Sequence, residues 1–333
     1  MTHRDPPNRP PRGPRPPAPP SREGASPWGG GTHVRSRKER FEDNTTRFRR
    51  DRAEHDAQRA ARPRVEHAHE GEPDAFAHDA EHAAHPARER RSAELRLYGL
   101  NAIQAVFSRR PQAIRKLYLA EARIPALQPL LKWCVANRVG YRVVDELDLH
   151  KLAASSHHEG VVADVLREEP LPLSTWLRDL PSGPQCAIWL DGVGNPHNFG
   201  AILRSAAHFG VAAILLPKHS NLSLSGAAAR VAEGGAEAVP LVRLGREDNA
   251  IAQLRGAGFT LAATVVNGGT DVFAAPLPER TIYVLGAEGE GMDRDLAAAC
   301  DLRLSIPGTG LVESLNVASA AAVLLAAWKA KRG

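Results

Sequence analysis

No leucine and no isoleucine occurs among the first 94 of the 333 residues; the first is Leu95. Large apolar side chains there are confined to Met1, Trp28, Val34, Phe41, Phe48, Val65 and Phe76, while the same stretch holds 13 of the 26 prolines and 8 of the 14 histidines. So little apolar surface cannot offset the conformational entropy lost on ordering. Residues 1–94 are therefore expected to form a disordered Arg/Pro/His-rich tail. Long apolar runs are missing throughout, which argues against a membrane span, and the N-terminus has no signal-peptide core. Cysteine is scarce: Cys134, Cys186 and Cys300 are far apart and odd in number. That argues against a disulfide framework and a metal-spacing motif, and makes a reduced, cytoplasmic protein the expectation. His67, His69, His78, His82 and His85 read as polar filler in a low-complexity tract, so no metal is expected.

Charge is unevenly placed. Residues 1–64 carry a net +8 and residues 65–94 a net −5, which leaves +2 on the remainder. Fifteen of the sixteen cations in the first 64 residues are Arg, the side chain suited to phosphate forks and base stacking. Such an arm is either an electrostatic handle for nucleic acid or a solubilising extension.

From Leu95 the pattern changes to short apolar segments of helical and strand period. A helix is expected at 101–108 with Asn101 as cap, a strand at Ile114–Leu119, a helix at 125–138, a strand at 141–144, a helix at 146–154 and a strand at Val161–Leu166. This is a small α/β module over 95–168. Prolines and glycine at 168–172 and 181–184 mark a linker over 169–186. Beyond it, strands are expected at 187–191, 213–216, 239–242, 260–266, 281–285 and 302–306. Helices are expected at 199–209, 225–234, 247–256, 293–300 and 315–331. Strands apolar on both faces, such as AAILLP and TIYVLG, predict a doubly wound parallel sheet over 187–333, with ligands outside the carboxyl ends of its strands.

Three unusual segments sit at those ends. In Asp191-Gly-Val-Gly-Asn-Pro-His-Asn-Phe-Gly200, Asn198 is placed to cap the next helix, whose apolar stripe is Phe199, Ile202, Leu203 and Ala206. Arg204 projects from the opposite face. Leu285-Gly-Ala-Glu-Gly-Glu-Gly-Met292 has the spacing G-x-x-G-x-G rather than that of a dinucleotide fold. Its glycines admit close backbone approach, and Glu288 disfavours a phosphate guest and favours a neutral or cationic one. Ile306-Pro-Gly-Thr-Gly-Leu-Val-Glu-Ser-Leu-Asn316 opens an Ala-rich helix that Ser314 or Asn316 would cap. Taken singly, each also reads as an ordinary turn or helix start.

Taken together and in order, the three segments resemble the motifs of the SpoU/TrmH family of SPOUT RNA 2′-O-ribose methyltransferases. NPHNFGAILRSA is similar to motif one, VLGAEGEGM to motif two and IPGTGLVESLNVA to motif three, over about residues 187–331. The 95–168 module is similar to the L30e-like RNA substrate-binding domain that often precedes the catalytic one. The resemblance implies a C-terminal trefoil knot, a rare exception to unknotted topology, and S-adenosylmethionine as cofactor, with Gly286, Ile306 and Leu315 at the cofactor positions. It implies methyl transfer to a ribose 2′-hydroxyl of rRNA or tRNA, rRNA being slightly favoured, and a homodimer formed through the knotted domain. Arg204, Asn198, Glu288, Ser314 and Asn316 match the family's catalytic positions. No membrane and no metal partner is implied. Three positions depart from the pattern: Ala318-Ser319 after Asn316-Val, Pro307-Gly308 where many relatives have Pro-Met, and His158-Glu159-Gly160 where the small domain often has His-Gln-Gly. The alternative is a non-catalytic RNA-binding or ribosome-assembly factor that keeps the fold.

Overall fold

The computed structural model describes residues 93–332 apart from Glu290, so the expected tail lies, but for its last two residues, outside the described residues. Two sheets organise the described chain. The smaller runs β1 (Glu94–Tyr98), β4 (Val161–Leu166), β2 (Ile114–Leu119), β3 (Gly140–Val143). Strand β4 is antiparallel to β1 and β2, and β3 is parallel to β2. Ile103 and Val106 of α1 (Leu100–Arg109) and Leu127, Leu130 and Cys134 of α2 (Ile124–Ala136) pack on Leu97, Leu117 and Leu119. On the other face, Leu149 of α3 (Glu146–Ala153) meets Tyr98, Tyr118 and Val162.

The larger sheet has eight strands in the order β10-β12-β9-β11-β6-β7-β8-β5, and every pairing is parallel. They are β5 (Leu171–Pro172), β6 (Gln185–Leu190), β7 (Ala213–Leu216), β8 (Leu241–Arg243), β9 (Thr260–Thr264), β10 (Thr270–Asp271), β11 (Arg280–Leu285) and β12 (Leu302–Ser305). Alternate residues serve two cores. Ile188, Ile214 and Tyr283 face α5 (Pro196–Phe209), α6 (Gly226–Ala232) and α9 (Val317–Ala330). Trp189, Leu215 and Val284 face α4 (Leu173–Arg178), α7 (Glu247–Gly256) and α8 (Arg294–Ala299). Burial on both faces is why these strands read as continuous apolar runs. Each large side chain so enclosed contributes about 1.5–3 kcal/mol relative to exposure. No helix among the described residues is long and apolar enough to cross a membrane.

Four expectations change. Residues 169–186 are not a bare linker: β5 and α4 lie within them, and Trp176 is buried and stacks on Phe259 at 5.6 Å. Strand β1 lies where no element was expected. Asn101 does not cap α1; Gly99 occupies that position, and the Asn101 amide instead donates to Glu233. Asn198 does not cap α5 either, as described below.

Helix α6 fills the space between the two sheets. Ala229 belongs to the small module's core, while Ala228 and Ala232 belong to that of the large sheet. A β-carbon on Gly200 would lie 2.4 Å from the Ala228 carbonyl oxygen, and one on Gly226 2.7 Å from that of Arg96, so glycine lets α5, α6 and β1 approach this closely. Polar bonds close the seam. Arg110 grips Glu237 with two bonds of 2.6 and 2.7 Å, both side chains being largely buried. The Glu159 carboxylate accepts from the Leu100 amide at 3.0 Å and pairs with Arg230 at 3.0 Å. Glu159 stands where the family pattern often has Gln, and here its charge is matched by that guanidinium.

Candidate active site

Because all eight strands are parallel, the loops after β6, β11 and β12 emerge at one edge. Strands β6 and β11 are neighbours there, while the chain leaves β6 for β7 on the other side. This crevice at the carboxyl ends is where an open α/β sheet binds ligands. The Asp191 amide donates to the Leu285 carbonyl at 2.8 Å, which holds the first loop beside the second. The second folds back as a tight turn in which Ala287 and Gly291 exchange backbone bonds of 2.8 and 3.0 Å. A side chain at Gly286 would sit 2.4 Å from the Gly291 and Met292 backbone, so the turn closes only over glycine.

Asn195, not Asn198, caps α5: its side-chain oxygen accepts from the His197 and Asn198 amides at 2.8 and 3.4 Å, with Pro196 at the first helical position. Cap followed by proline is a recognised helix start, so this signal was present in the sequence. The shift frees the Asn198 side chain. Its amide donates to Glu288 Oε1 at 3.1 Å. Asn316, the cap of α9, donates from Nδ2 to the same oxygen at 2.7 Å and to Asn198 Oδ1 at 3.0 Å, and its own Oδ1 accepts from Ala318 and Ser319. The Val317 amide completes the set at 3.3 Å. One carboxylate oxygen thus ties three loops at the N-terminus of α9, where the helix dipole favours negative charge. A cavity of about 290 Å³ opens beside it, lined by Gly192, Val193, Asn198, Ala287, Glu288 and Val317 among others.

The remaining expected positions are spread around this knot of bonds. Arg204 is exposed on α5, six residues and so about 9 Å beyond Asn198 along the axis, and its side chain makes no hydrogen bond among the described residues. The stripe opposite it, Phe199, Ile202, Leu203 and Ala206, is fully buried. Ser314 is exposed, likewise with no bond among the described residues. Ile306 packs against the core, and Leu315 is exposed. The residues 307–315 make no backbone–backbone hydrogen bond among the described residues. No cluster of three or more metal-ligating side chains occurs among the described residues. Cys134, Cys186 and Cys300 are free thiols; burial pushes Cys186 far up and Cys300 up to about 11. The sequence reading missed Asn195 and the Val317 amide.

Fold and site together define a parallel α/β domain with a polar cluster at the carboxyl edge of its sheet. Residues 185–326 match the SpoU rRNA methylase family, and residues 96–171 match the RNA 2′-O ribose methyltransferase substrate-binding family. The chain is 38% identical to the uncharacterized tRNA/rRNA methyltransferase YfiF of Escherichia coli O157:H7, over 72% of this chain and 69% of that one. It is 33% identical to the 23S rRNA (guanosine-2′-O-)-methyltransferase RlmB of Pseudomonas syringae, over 69% and 93% respectively. Among solved structures it resembles the SpoU methyltransferase AviRb from Streptomyces viridochromogenes, with a TM-score of 0.62 and 24% identity over 74% of this chain and 93% of that one. It also resembles a protein of the TrmH family from Porphyromonas gingivalis, with a TM-score of 0.58 and 26% identity over the same shares. The chain belongs to the SpoU rRNA methylase family.

Proposed function

We propose that this chain transfers a methyl group from S-adenosylmethionine to the 2′-hydroxyl of a guanosine in ribosomal RNA. The observation that carries this reading is the meeting of Asn198, Glu288 and Asn316, one from each loop, on a single carboxylate oxygen at the carboxyl edge of the sheet. Guanosine and rRNA are supported by the RlmB relatives, whose length the chain nearly spans.

The residues present fit the cofactor. The backbone groups of 307–315 make no bonds to other backbone groups among the described residues, and Ile306 and Leu315 add apolar surface beside them. A neutral adenine suits that donor set better than a phosphate does. Gly286, Ile306 and Leu315 would hold it. When bound, S-adenosylmethionine supplies a methyl group on a positively charged sulfur. Glu288 is held by neutral donors only, so a cationic guest would find no competing positive charge beside it. Asn198 and Asn316 position it and lock the loops together. Arg204 offers a planar cationic fork rather than a proton acceptor. It acts as a clamp on RNA phosphate and on the negative charge that develops on the ribose oxygen as that oxygen's proton passes to solvent. The Ser314 hydroxyl remains to hydrogen-bond the ribose. Holding a ribose hydroxyl close to the cofactor site would supply much of the rate through proximity.

The reading extends to the family's knotted threading of the C-terminal segment and to pairing of two copies through this domain. Leu311, Val312 and Leu315, exposed by 89, 70 and 47%, support the pairing, since apolar side chains bared on one loop gain from being covered. Free thiols accord with a cytoplasmic location, and the basic tail would raise the local concentration of RNA.

Labelled S-adenosylmethionine incubated with unmodified rRNA and tRNA, followed by digestion to nucleosides, tests the reading. The expected product is 2′-O-methylguanosine from rRNA; no label in either RNA rejects it. Arg204→Ala should lower transfer by about 10²–10³-fold and leave cofactor affinity within about twofold. Equal loss of both would make Arg204 a support of the pocket instead.

A further inference from the structure

A second and larger cavity, about 580 Å³, adjoins the first and shares Gly192, Val193 and Gly194 with it. Its far wall is the loop 217–225 between β7 and α6, which none of the three motifs includes. That loop is fixed at its backbone. Arg243 donates to the Pro217 and Ser220 carbonyls at 3.0 and 2.9 Å, and Arg167, at the end of the small module, donates to the Leu224 carbonyl at 2.9 Å. Leu222 is buried in the core. Three polar side chains of this anchored loop, His219, Asn221 and Ser223, line the cavity, and none makes a hydrogen bond among the described residues. Neither Lys nor Arg lines the cavity, whereas Asp191 does.

These features select among the parts of an RNA chain. A phosphate is disfavoured by a carboxylate with no cation beside it. A nucleobase is favoured, being flat, neutral and rich in both donors and acceptors, and the volume lies in the range of small-molecule pockets. Asp191 further favours a base that offers donors along its pairing edge, as guanine does. We infer that the cleft between Asp191 and the 217–225 loop receives the base of the target nucleotide, taken out of its stack, so that its ribose lies over the Glu288 cavity. This rests on the methyl-transfer reading. It adds Asn221 and Ser223 as specificity-determining residues outside the catalytic network. The Arg167 bond gives the substrate module a direct hold on the loop that reads the base.

The test uses the full chain with both side chains truncated, Asn221→Ala with Ser223→Ala. Both are exposed and unpartnered among the described residues, so folding should be unaffected. The KM for unmodified rRNA is expected to rise about tenfold, as for the loss of one or two hydrogen bonds, with kcat and cofactor affinity nearly unchanged. The 2′-O-methylnucleosides recovered should spread beyond guanosine. An unchanged KM and nucleoside pattern overturns the inference, and so does a loss that tracks salt concentration, which would mark a phosphate contact. Photo-crosslinking of wild-type protein to RNA containing 6-thioguanosine reads the pocket without catalysis. Crosslinks within 191–196 and 217–225 support it, and crosslinks confined elsewhere overturn it even if no methyl transfer is seen.

Discussion

Glu288 and Glu159 each accept a hydrogen bond from the first backbone amide of a helix, Val317 of α9 and Leu100 of α1. Both stand in short loops beside glycine, and both tie together segments distant in sequence. Their other partners differ. Glu288 is surrounded by two side-chain amides, whereas Glu159 is paired with the guanidinium of Arg230. The same local device therefore yields a charged site at one place and a joint between modules at the other. What separates them is whether the donors bring charge of their own.

Substitutions in the two regions should diverge accordingly. Arg110→Ala, at the joint, is expected to cost about 3 kcal/mol or more in a denaturant titration, because it strands the buried Glu237 carboxylate. A loss below about 1 kcal/mol would show that Glu237 finds water and that the seam is looser than drawn. Glu288→Gln keeps the shape and an acceptor oxygen but removes the charge. Methyl transfer should fall about 10–100-fold with a change in Tm of only a few degrees. A wild-type rate would reduce Glu288 to a loop tie and erase the contrast. Glu159→Gln should change stability least, by under about 1 kcal/mol, since the pair with Arg230 is partly exposed and screened. Its transfer rate should stay within about threefold of wild type. A larger fall in rate would mean that Glu159 touches RNA rather than only the joint.

Much of this architecture is legible in the chain. Strands β2 and β4 occupy the residues their apolar patterns mark, and the buried stripe of α5 is the one its helical period picks out. Boundaries of the parallel strands shift by a residue or two, as at β8 and β9, where the flanking Val239, Val265 and Val266 are apolar as well. The misplaced cap had a local remedy, since Asn195 stands directly before Pro196. The Leu171–Arg178 elements were hidden by neighbouring prolines; what orders them is Trp176 against Phe259, 83 positions on. The site divides in the same way. Spacing shows that Asn198, Glu288 and Asn316 belong to loops at one edge, but not that they share one oxygen. Arg230 opposite Glu159, across 71 positions, leaves no periodic trace at all.

The glycine contacts of α6 bear on how such proteins can be recombined. With Gly226 against Arg96 and Tyr98, and Gly99 against Arg230, the substrate module is fitted to the catalytic part rather than strung from it. A chimera that exchanges only residues 95–168 for those of a relative would place a foreign surface on an unaltered α6. The unit that can be transplanted therefore includes Gly226 and Arg230, although both lie well beyond the proline-rich stretch at 169–186.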